Sequence, residues 1–274
     1  MLGLTIGQTS TSTGLGRAAA VTASATDVVF VHGAGCGAIA YTTTAIRDLE
    51  AAGRAASTLH TVSYYACDVG GVSIMNEGSS SYLPSRDAND TSTDVRRFSY
   101  ELAWYLWNTF GAKGKPVDVV GHSMGGIIIT YALQRIAAHD PDYPTSLTVR
   151  SVTTFSAPYA GVSQSLCAQD TTTECTQLLA GSSLINQITA TGAVTLGSKT
   201  VWTAVASEGA DAIPSKSTLA LAKVTYRVDY TYPAYTHTSY LVDASALRNA
   251  RGTLNGTPFA TGAHSLALLA QLLT

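Results

Sequence analysis

Ser123 stands at the centre of GHSMG, residues 121 to 125, a G-x-S-x-G pattern that can present a nucleophilic hydroxyl. The preceding residues 117 to 120, VDVV, form a short β-branched run typical of a buried strand. Residues 126 to 135 are apolar enough for a buried helix. At so sharp a strand-to-helix turn, a side chain on either glycine would collide with the neighbouring strand or helix. The pattern therefore predicts a nucleophilic serine in a strained backbone conformation.

A serine hydroxyl becomes an effective nucleophile only beside a base, and an orienting carboxylate must hold that base. For a serine on such a turn, the acid follows along the chain and the histidine comes last. His237 lies shortly after a predicted strand at residues 223 to 230 and is the expected base. The alternative is His264, near the start of the terminal helix, where a histidine is also an ordinary polar residue.

Asp211 is the expected acid, because it follows the predicted strand at residues 200 to 207 within the loop EGADAIP. It precedes the expected base by 26 residues. Three other carboxylates compete less well. Glu208 comes directly off the strand end, Asp229 falls inside its own strand, and Asp243 follows the histidine. The opposing interpretation of Asp211 is a polar turn residue.

A tetrahedral intermediate carries an oxyanion, which two backbone N–H groups usually bind. Met124 follows the serine at the positive end of the next helix and is expected to provide one donor. The loop HGAG, residues 32 to 35, follows the first strand, and Ala34 is expected to provide the other. Glycines let this loop lie close under a substrate. His32 and His122 are expected to position loops, since neither is placed to receive the serine proton.

Predicted strands and helices alternate along the chain. The strands are expected at residues 27–32, 57–65, 117–120, 151–155, 200–207 and 223–230, and the helices at 41–52, 94–110, 126–140 and 265–273. This alternation predicts an α/β fold with a mainly parallel central sheet and helices on both faces. In such sheets the reactive groups gather beyond the carboxyl ends of the strands. The serine, the acid and the histidine would therefore meet at one edge.

The chain is expected to hold a single domain at residues 27–274, behind an N-terminal segment, residues 1–26, rich in Ser, Thr, Ala and Gly. Residues 67–93 form a long Gly/Ser/Asn-rich loop, a length that in compact domains is usually functional. Residues 161–198 are predicted as a helical insertion. Both stretches could form a cap, whose leucines could either face an acyl chain or simply pack on the sheet.

The composition excludes several classes of function. Charged residues make up 12% of the chain and the net charge is -2, so no electrostatic footprint for nucleic acid exists. No apolar run approaches the length of a transmembrane helix, although contact with a lipid interface stays open. Neither a phosphate-binding glycine motif nor a C-x-x-C spacing occurs, so no cofactor and no metal are expected.

The four cysteines favour secretion into an oxidising compartment. Cys167 and Cys175 could close a small loop, while Cys36 and Cys67 each follow a predicted strand and could pair across the sheet top. Four cysteines allow three pairings, and the sequence alone does not choose. A cytoplasmic location is the alternative, because residues 1–26 lack the apolar core of a signal peptide.

The motifs VFVHGAG, VVGHSMGG, TFSAPYAG, EGADAIP and YTHTSYL occur in this order and together resemble the bacterial α/β-hydrolase lipases and esterases. The first two carry the resemblance, as an HG oxyanion loop and a GHSMGG nucleophile elbow. It implies a nucleophile, an acid, a base and two oxyanion donors at Ser123, Asp211, His237, Ala34 and Met124. Two motifs depart from the pattern. After the proline the family usually has a basic or histidine residue and Gly-Thr, whereas this chain reads PYAGV; and Thr236 and Thr238 flank His237, where the family often has a small or apolar neighbour.

The expected activity is hydrolysis of carboxylic esters through an acyl-enzyme, with acyl esters of glycerol as the lipase substrates. Alternatives with the same constellation are a short-chain esterase, a thioesterase, an acyltransferase or a peptidase. A different class is a catalytically silent binding protein, favoured only if Asp211 or His237 lies far from Ser123. The sequence does not indicate an oligomeric state.

Overall fold

The computed structural model describes residues 26–37, 40–78, 89–167, 172–241, 250–263 and 265–273. Residues 1–25, which make up almost all of the predicted N-terminal segment, therefore lie outside the described part of the chain. The same holds for His264 and Asp243, and for parts of both predicted cap stretches.

One sheet joins the nine strands found in the described residues. They are β1 Asp27–Val31, β2 Leu59–Ser63, β3 Val72–Ser73, β4 Val117–His122, β5 Val149–Phe155, β6 Val201–Ser207, β7 Tyr226–Tyr232, β8 Ala250–Leu254 and β9 Thr257–Gly262. Their order across the sheet is β3-β2-β1-β4-β5-β6-β7-β8-β9. Pairing is parallel from β3 to β7, and antiparallel at β7–β8 and β8–β9. The predicted α/β class with a mainly parallel sheet is confirmed.

Helices cover both faces of this sheet. They are α1 Ala40–Ala51, α2 Val95–Thr109, α3 Met124–Ala137, α4 Thr173–Leu178, α5 Ser183–Thr191, α6 Ser215–Thr218 and α7 Ser265–Leu272. One buried apolar cluster contains residues of α2, α3 and α5, and the other contains residues of α1 and α7. None of the described helices is both long and apolar enough to cross a membrane.

The central strands are apolar on both sides because each side faces a layer of helices. In β1, Val29 and Val31 join the cluster of α2 and α3, while Val28 and Phe30 join the cluster of α1 and α7. Alternate strand residues point to opposite faces, so an uninterrupted apolar run fills both layers. Burying each such side chain contributes about 2 kcal/mol. This packing fixes the strand ends on which the polar loops sit.

The structure adds one hairpin that the sequence patterns did not predict. β8 and β9 form it, joined by a tight turn at Asn255 and Gly256, both with positive φ. ARGTL carries a charge and a glycine where a buried strand would be apolar, so the hydrophobic pattern gave no signal. Pro258 is tolerated in β9 because β9 is an edge strand, where a residue without an N–H need not break the hydrogen bonding of the sheet.

Both suggested cysteine pairings are present as disulfides. Cys36 and Cys67 join the loops after β1 and β2 with their Cα atoms 5.6 Å apart. Cys167 and Cys175 close the small loop before and within α4 with a Cα separation of 5.7 Å. The two bonds hold segments that lie at the carboxyl ends of the parallel strands.

Candidate active site

Ser123 occupies the turn between β4 and α3 with φ 54° and ψ −127°, as expected for a strained residue. A Cβ on Gly121 would come within 2.7 Å of Ile129 Cδ1 in α3. A Cβ on Gly125 would come within 2.2 Å of the carbonyl oxygen of Val31, at the end of β1. The predicted collisions with helix and strand are therefore confirmed, and only glycine permits this turn.

The structure brings Ser123, His237 and Asp211 together through two hydrogen bonds. His237 Nε2 lies 2.9 Å from Ser123 Oγ, and His237 Nδ1 lies 2.9 Å from Asp211 Oδ1. When Nδ1 carries the proton that it donates to the carboxylate, the Nε2 lone pair faces the serine hydroxyl. This is the order of contacts that general-base activation of a serine requires.

Four hydrogen bonds converge on the buried carboxylate of Asp211. Oδ1 accepts from His237 and from the Ile213 N–H at 2.9 Å, and Oδ2 accepts from Ser156 Oγ and Tyr240 OH at 2.6 Å. Burial alone would raise the pKa of Asp211. The hydrogen bonds outweigh burial and hold that pKa below its ordinary value. Asp211 is therefore ionised at neutral pH.

The described competitors for the acid lie elsewhere. Glu208 is exposed, and its backbone N–H donates to the Tyr230 carbonyl oxygen at 2.8 Å. Asp229 belongs to β7 and accepts from Ser215 Oγ at 2.8 Å. Neither contact involves the imidazole, whereas Asp211 touches it directly.

The glycine-rich loop after β1 lies against Ser123. A Cβ on Gly33 would sit 2.9 Å from Ser123 Cβ, so the two backbones approach too closely for any larger residue. Ala34 lines the same cavity as Ser123 and His237. Met124 begins α3, and the first N–H groups of a helix have no partner within it. Donation to an oxyanion from Ala34 and Met124 stays a prediction.

The two histidines near this loop are engaged in other contacts. His32 Nε2 lies 3.0 Å from Asp68 Oδ2, and its ring stacks on Tyr64 with centroids 4.1 Å apart. His122 Nε2 donates to the carbonyl oxygen of His237 at 2.5 Å. Burial, with the nearby His237 imidazole, lowers the pKa of His122 to about 4, so this ring is neutral at pH 7. Both positions fit the expected role in holding loops.

A largely apolar cavity of about 280 Å³ opens beside Ser123 and His237. Residues from the predicted 161–198 cap stretch form much of its wall. Besides Ala34, the apolar and disulfide residues lining it are Pro158, Val162, Leu166, Cys167, Cys175, Leu178 and Ile213. Leu184 and Ile185 of α5, further along the same stretch, pack in the core instead.

One hydrogen-bonded link joins the cavity wall to the glycine-rich loop. Tyr65 OH donates to Glu174 Oε1 in α4 at 2.5 Å, and the Gly35 N–H donates to Tyr65 OH at 3.2 Å. Tyr65 and Glu174 are both buried. The loop beside Ser123 is thus held from the side of the cap stretch as well as by its disulfide.

Sequence patterns did not single out Ser156 and Tyr240, although both donate to Asp211. Hydroxyl residues are common in this chain, and their partners depend on tertiary placement. One signal was available for Ser156. It directly follows β5, which lies between the strands that lead to Ser123 and Asp211. Among the described residues, no group of His, Cys, Asp or Glu side chains could hold a metal ion.

The mainly parallel sheet, with polar groups collected beyond its carboxyl ends and a serine elbow at its centre, defines an α/β-hydrolase fold. The alpha/beta hydrolase family model matches residues 28–170, more than half of the chain. The chain belongs to this family. No curated protein matches the sequence.

Similar solved structures include two lipases and a phospholipase at low identity. Phospholipase PlaB from Legionella pneumophila in complex with thio-NAD is 12% identical with a TM-score of 0.45, covering 66% of this chain and 37% of its own. Aspergillus fumigatus lipase B is 16% identical with a TM-score of 0.42, and the match covers 66% of this chain and 37% of the lipase. Mature Bacillus licheniformis lipase BlEst2 is 16% identical with a TM-score of 0.43, and the match covers 68% of this chain and 66% of the lipase. The matched region thus spans about a third of the first two proteins.

Proposed function

We propose that this protein is a serine hydrolase that cleaves carboxylic esters through an acyl-enzyme on Ser123. The observation that supports this most directly is the series of contacts from Ser123 Oγ to His237 Nε2 and from His237 Nδ1 to Asp211, each 2.9 Å long. An apolar cavity opens at the serine end of this series. A nucleophile, its base and an orienting acid therefore stand beside a space for an apolar group.

In the first half-reaction, His237 Nε2 removes the Ser123 proton while Oγ attacks the ester carbonyl carbon. The backbone N–H groups of Ala34 and Met124 bind the oxyanion of the tetrahedral intermediate. Asp211, ionised and buried, keeps the imidazole oriented and stabilises its positive charge. The protonated Nε2 then gives its proton to the departing alkoxide, which leaves as an alcohol.

In the second half-reaction, water takes the place of the alcohol. His237 Nε2 removes one proton from it as the water oxygen attacks the acyl carbon. Collapse of the second tetrahedral intermediate breaks the bond to Ser123 Oγ, which recovers the proton from His237. The acid product leaves, and the serine and the imidazole return to their starting protonation states.

We propose apolar acyl esters, including those of glycerol, as the substrates of this lipase-type reaction. The apolar cavity wall supports this, since the transfer of a small apolar chain from water to such a surface is favourable. A short-chain esterase is the second candidate, and the limited cavity volume of about 280 Å³ favours it. Rates on esters of graded acyl length separate the two: a steep fall beyond butyryl esters supports the short-chain esterase.

The remaining alternatives keep the same contacts or abandon catalysis. A thioesterase, an acyltransferase or a peptidase would use the same nucleophile with another leaving group or acceptor. A silent binding protein would not need His237 within 2.9 Å of Ser123. The two disulfides are compatible with an oxidising compartment, and we propose secretion on that ground.

The decisive experiment combines a serine-directed phosphonate with the variant Ser123→Ala. The wild-type protein should be labelled on Ser123 and lose its activity on an aryl ester. The variant should lose at least about 10⁴-fold in kcat, because the nucleophile is gone while binding remains. Mass spectrometry of the labelled peptide and steady-state rates are the measurements.

Ser146→Ala is the matched control, since Ser146 is exposed and precedes β5 at the opposite end of the sheet. This control should keep wild-type labelling and turnover. Near wild-type activity in Ser123→Ala, or phosphonate found on another residue, would contradict the proposal.

A further inference from the structure

A buried serine, Ser156, lies between Ser123 and Asp211. It is completely buried and directly follows β5. In the sheet, β5 lies between β4, which carries Ser123, and β6, which leads to Asp211. The Ser123 N–H donates to the Phe155 carbonyl oxygen at 2.9 Å, and the Ser156 N–H donates to that of Val205 at 2.9 Å. The backbone thus ties the three strand ends together at this point.

The hydroxyl of Ser156 touches both partners of the nucleophile. Its Oγ donates to Asp211 Oδ2 at 2.6 Å and lies 2.9 Å from His237 Nδ1. A hydroxyl has one proton and two lone pairs, so while it donates to the carboxylate it can accept from Nδ1–H. Nδ1–H is then shared between Ser156 Oγ and Asp211 Oδ1, which lie at equal distances of 2.9 Å.

The backbone at this position is one that a serine adopts at a cost. Ser156 has φ 52°, in the left-handed region where glycine carries no penalty from a Cβ. A residue needed only to turn the chain would be best served by glycine. A buried serine in this conformation, with both hydroxyl contacts made inside the site, indicates that the side chain itself is used.

We infer that Ser156 is a positioning residue that fixes the Asp211 carboxylate and the His237 imidazole relative to each other. The inference rests on the proposed ester hydrolase activity. Donation to Oδ2 holds the plane of the carboxylate, and acceptance from Nδ1–H holds the tautomer and the tilt of the ring. Because Ser156 contacts the Nδ1 side of the ring, away from the Nε2 that faces Ser123, substrate binding does not depend on it.

Two variants separate the hydroxyl from the backbone. Ser156→Ala removes Oγ and keeps the Cβ, whereas Ser156→Gly removes Oγ and also relieves the positive φ. A hydroxyl role predicts that both variants lose about 10- to 100-fold in kcat, the factor expected for a hydrogen bond to a charged group, with KM unchanged. A role in the turn alone predicts that the glycine variant retains full kcat.

A spectroscopic readout tests the contact with the imidazole. The proton on His237 Nδ1 should be visible in ¹H NMR as a strongly deshielded signal, and it should shift in both variants. Ser99→Ala is the control, because Ser99 is equally buried and its hydroxyl donates within α2, to the Val95 carbonyl oxygen. It should change neither kcat nor the signal.

The outcomes of this experiment and of the Ser123 experiment are distinguishable. Wild-type kcat and an unshifted signal in Ser156→Gly would overturn the positioning role while leaving Ser123 labelling intact. An active Ser123→Ala would instead overturn the ester hydrolase proposal. Circular dichroism of both Ser156 variants identifies any loss of fold. The Nδ1 proton signal of the folded Ser156→Gly variant then decides whether Ser156 acts as a positioning residue.

Discussion

The carboxylate of Asp211 shows how single residues set the acid response of the site. Its hydrogen-bond donors, including Ser156 and Tyr240, hold its pKa below the ordinary value despite burial. A carboxyl group whose pKa is lower in the folded chain than in the unfolded chain stabilises the fold at pH values above its unfolded-state pKa. That contribution disappears as the pH falls through the folded pKa.

We expect the variant Asp211→Asn to reveal this contribution directly. At pH 7 the free energy of unfolding should be lower for the variant than for the wild-type protein, since the charged acceptor is gone. The difference between the two proteins should shrink as the pH falls below about 4, the ordinary pKa of the carboxyl group, and on through the lower folded pKa, because the wild-type carboxylate becomes protonated. Denaturant unfolding across this range measures it. A difference that stays constant or grows in acid would contradict the lowered pKa.

Chain order and local pattern were enough to select the residues that the structure joins. The sequence placed Asp211 and His237 after successive strands, and parallel strands deliver such residues to one edge. The contacts of Ser156 and Tyr240 could not be predicted in the same way. A hydroxyl has no charge or motif to mark it, and its partner is decided by which strand ends are neighbours.

At the scale of elements, the turn between β4 and α3 depends on atoms that come from β1. A Cβ on Gly125 would meet two backbone carbonyl oxygens, those of Val31 at 2.2 Å and His32 at 2.4 Å. Backbone atoms at the end of a central strand cannot move aside as a flexible side chain can. The elbow and the glycine-rich loop are therefore packed as one unit.

Gly125→Ala should destabilise the protein by at least about 3 kcal/mol, because β1 and α3 must separate to admit the methyl group. Gly256→Ala is the control: it lies in the β8–β9 turn at φ 80° with open space around it, and should cost about 1 kcal/mol. Free energies of unfolding in denaturant measure both. Equal costs for the two variants would show that the close approach at Gly125 is easily relieved.

Element prediction succeeded where packing dictates the pattern and failed where it does not. Central strands such as β1 and β4 are buried on both faces, so their apolar runs are unmistakable. The hairpin of β8 and β9 lies at the sheet edge and mixes polar with apolar residues. Its only strong local mark is the Asn255-Gly256 turn, a pair well suited to a two-residue hairpin.

Across the whole molecule, both disulfides lie at the carboxyl edge of the parallel strands. Cys36 follows the glycine-rich loop beside Ser123, and Cys167 with Cys175 lines the cavity. Each bond limits the freedom of the unfolded chain, and the longer closed loop gains more. Their sequence separations are 31 and 8 residues.

Replacing both cysteines of a pair by serine should therefore give two different results. Loss of Cys36–Cys67 should cost about 3 to 4 kcal/mol, and loss of Cys167–Cys175 about 2 to 3 kcal/mol. We expect the first change to lower kcat through the adjoining loop, and the second to raise KM through the cavity wall. Unfolding in denaturant and steady-state kinetics test this; the reverse order of stabilities would contradict it.

The parallel strands also leave the opposite edge of the sheet to surface chemistry. Four of the five lysines, Lys113, Lys115, Lys199 and Lys223, are exposed just ahead of β4, β6 and β7. Coupling through these amines to a solid support would attach the molecule at the amino ends of its parallel strands. The cavity mouth would then face the bulk solution, where dissolved compounds reach it without obstruction.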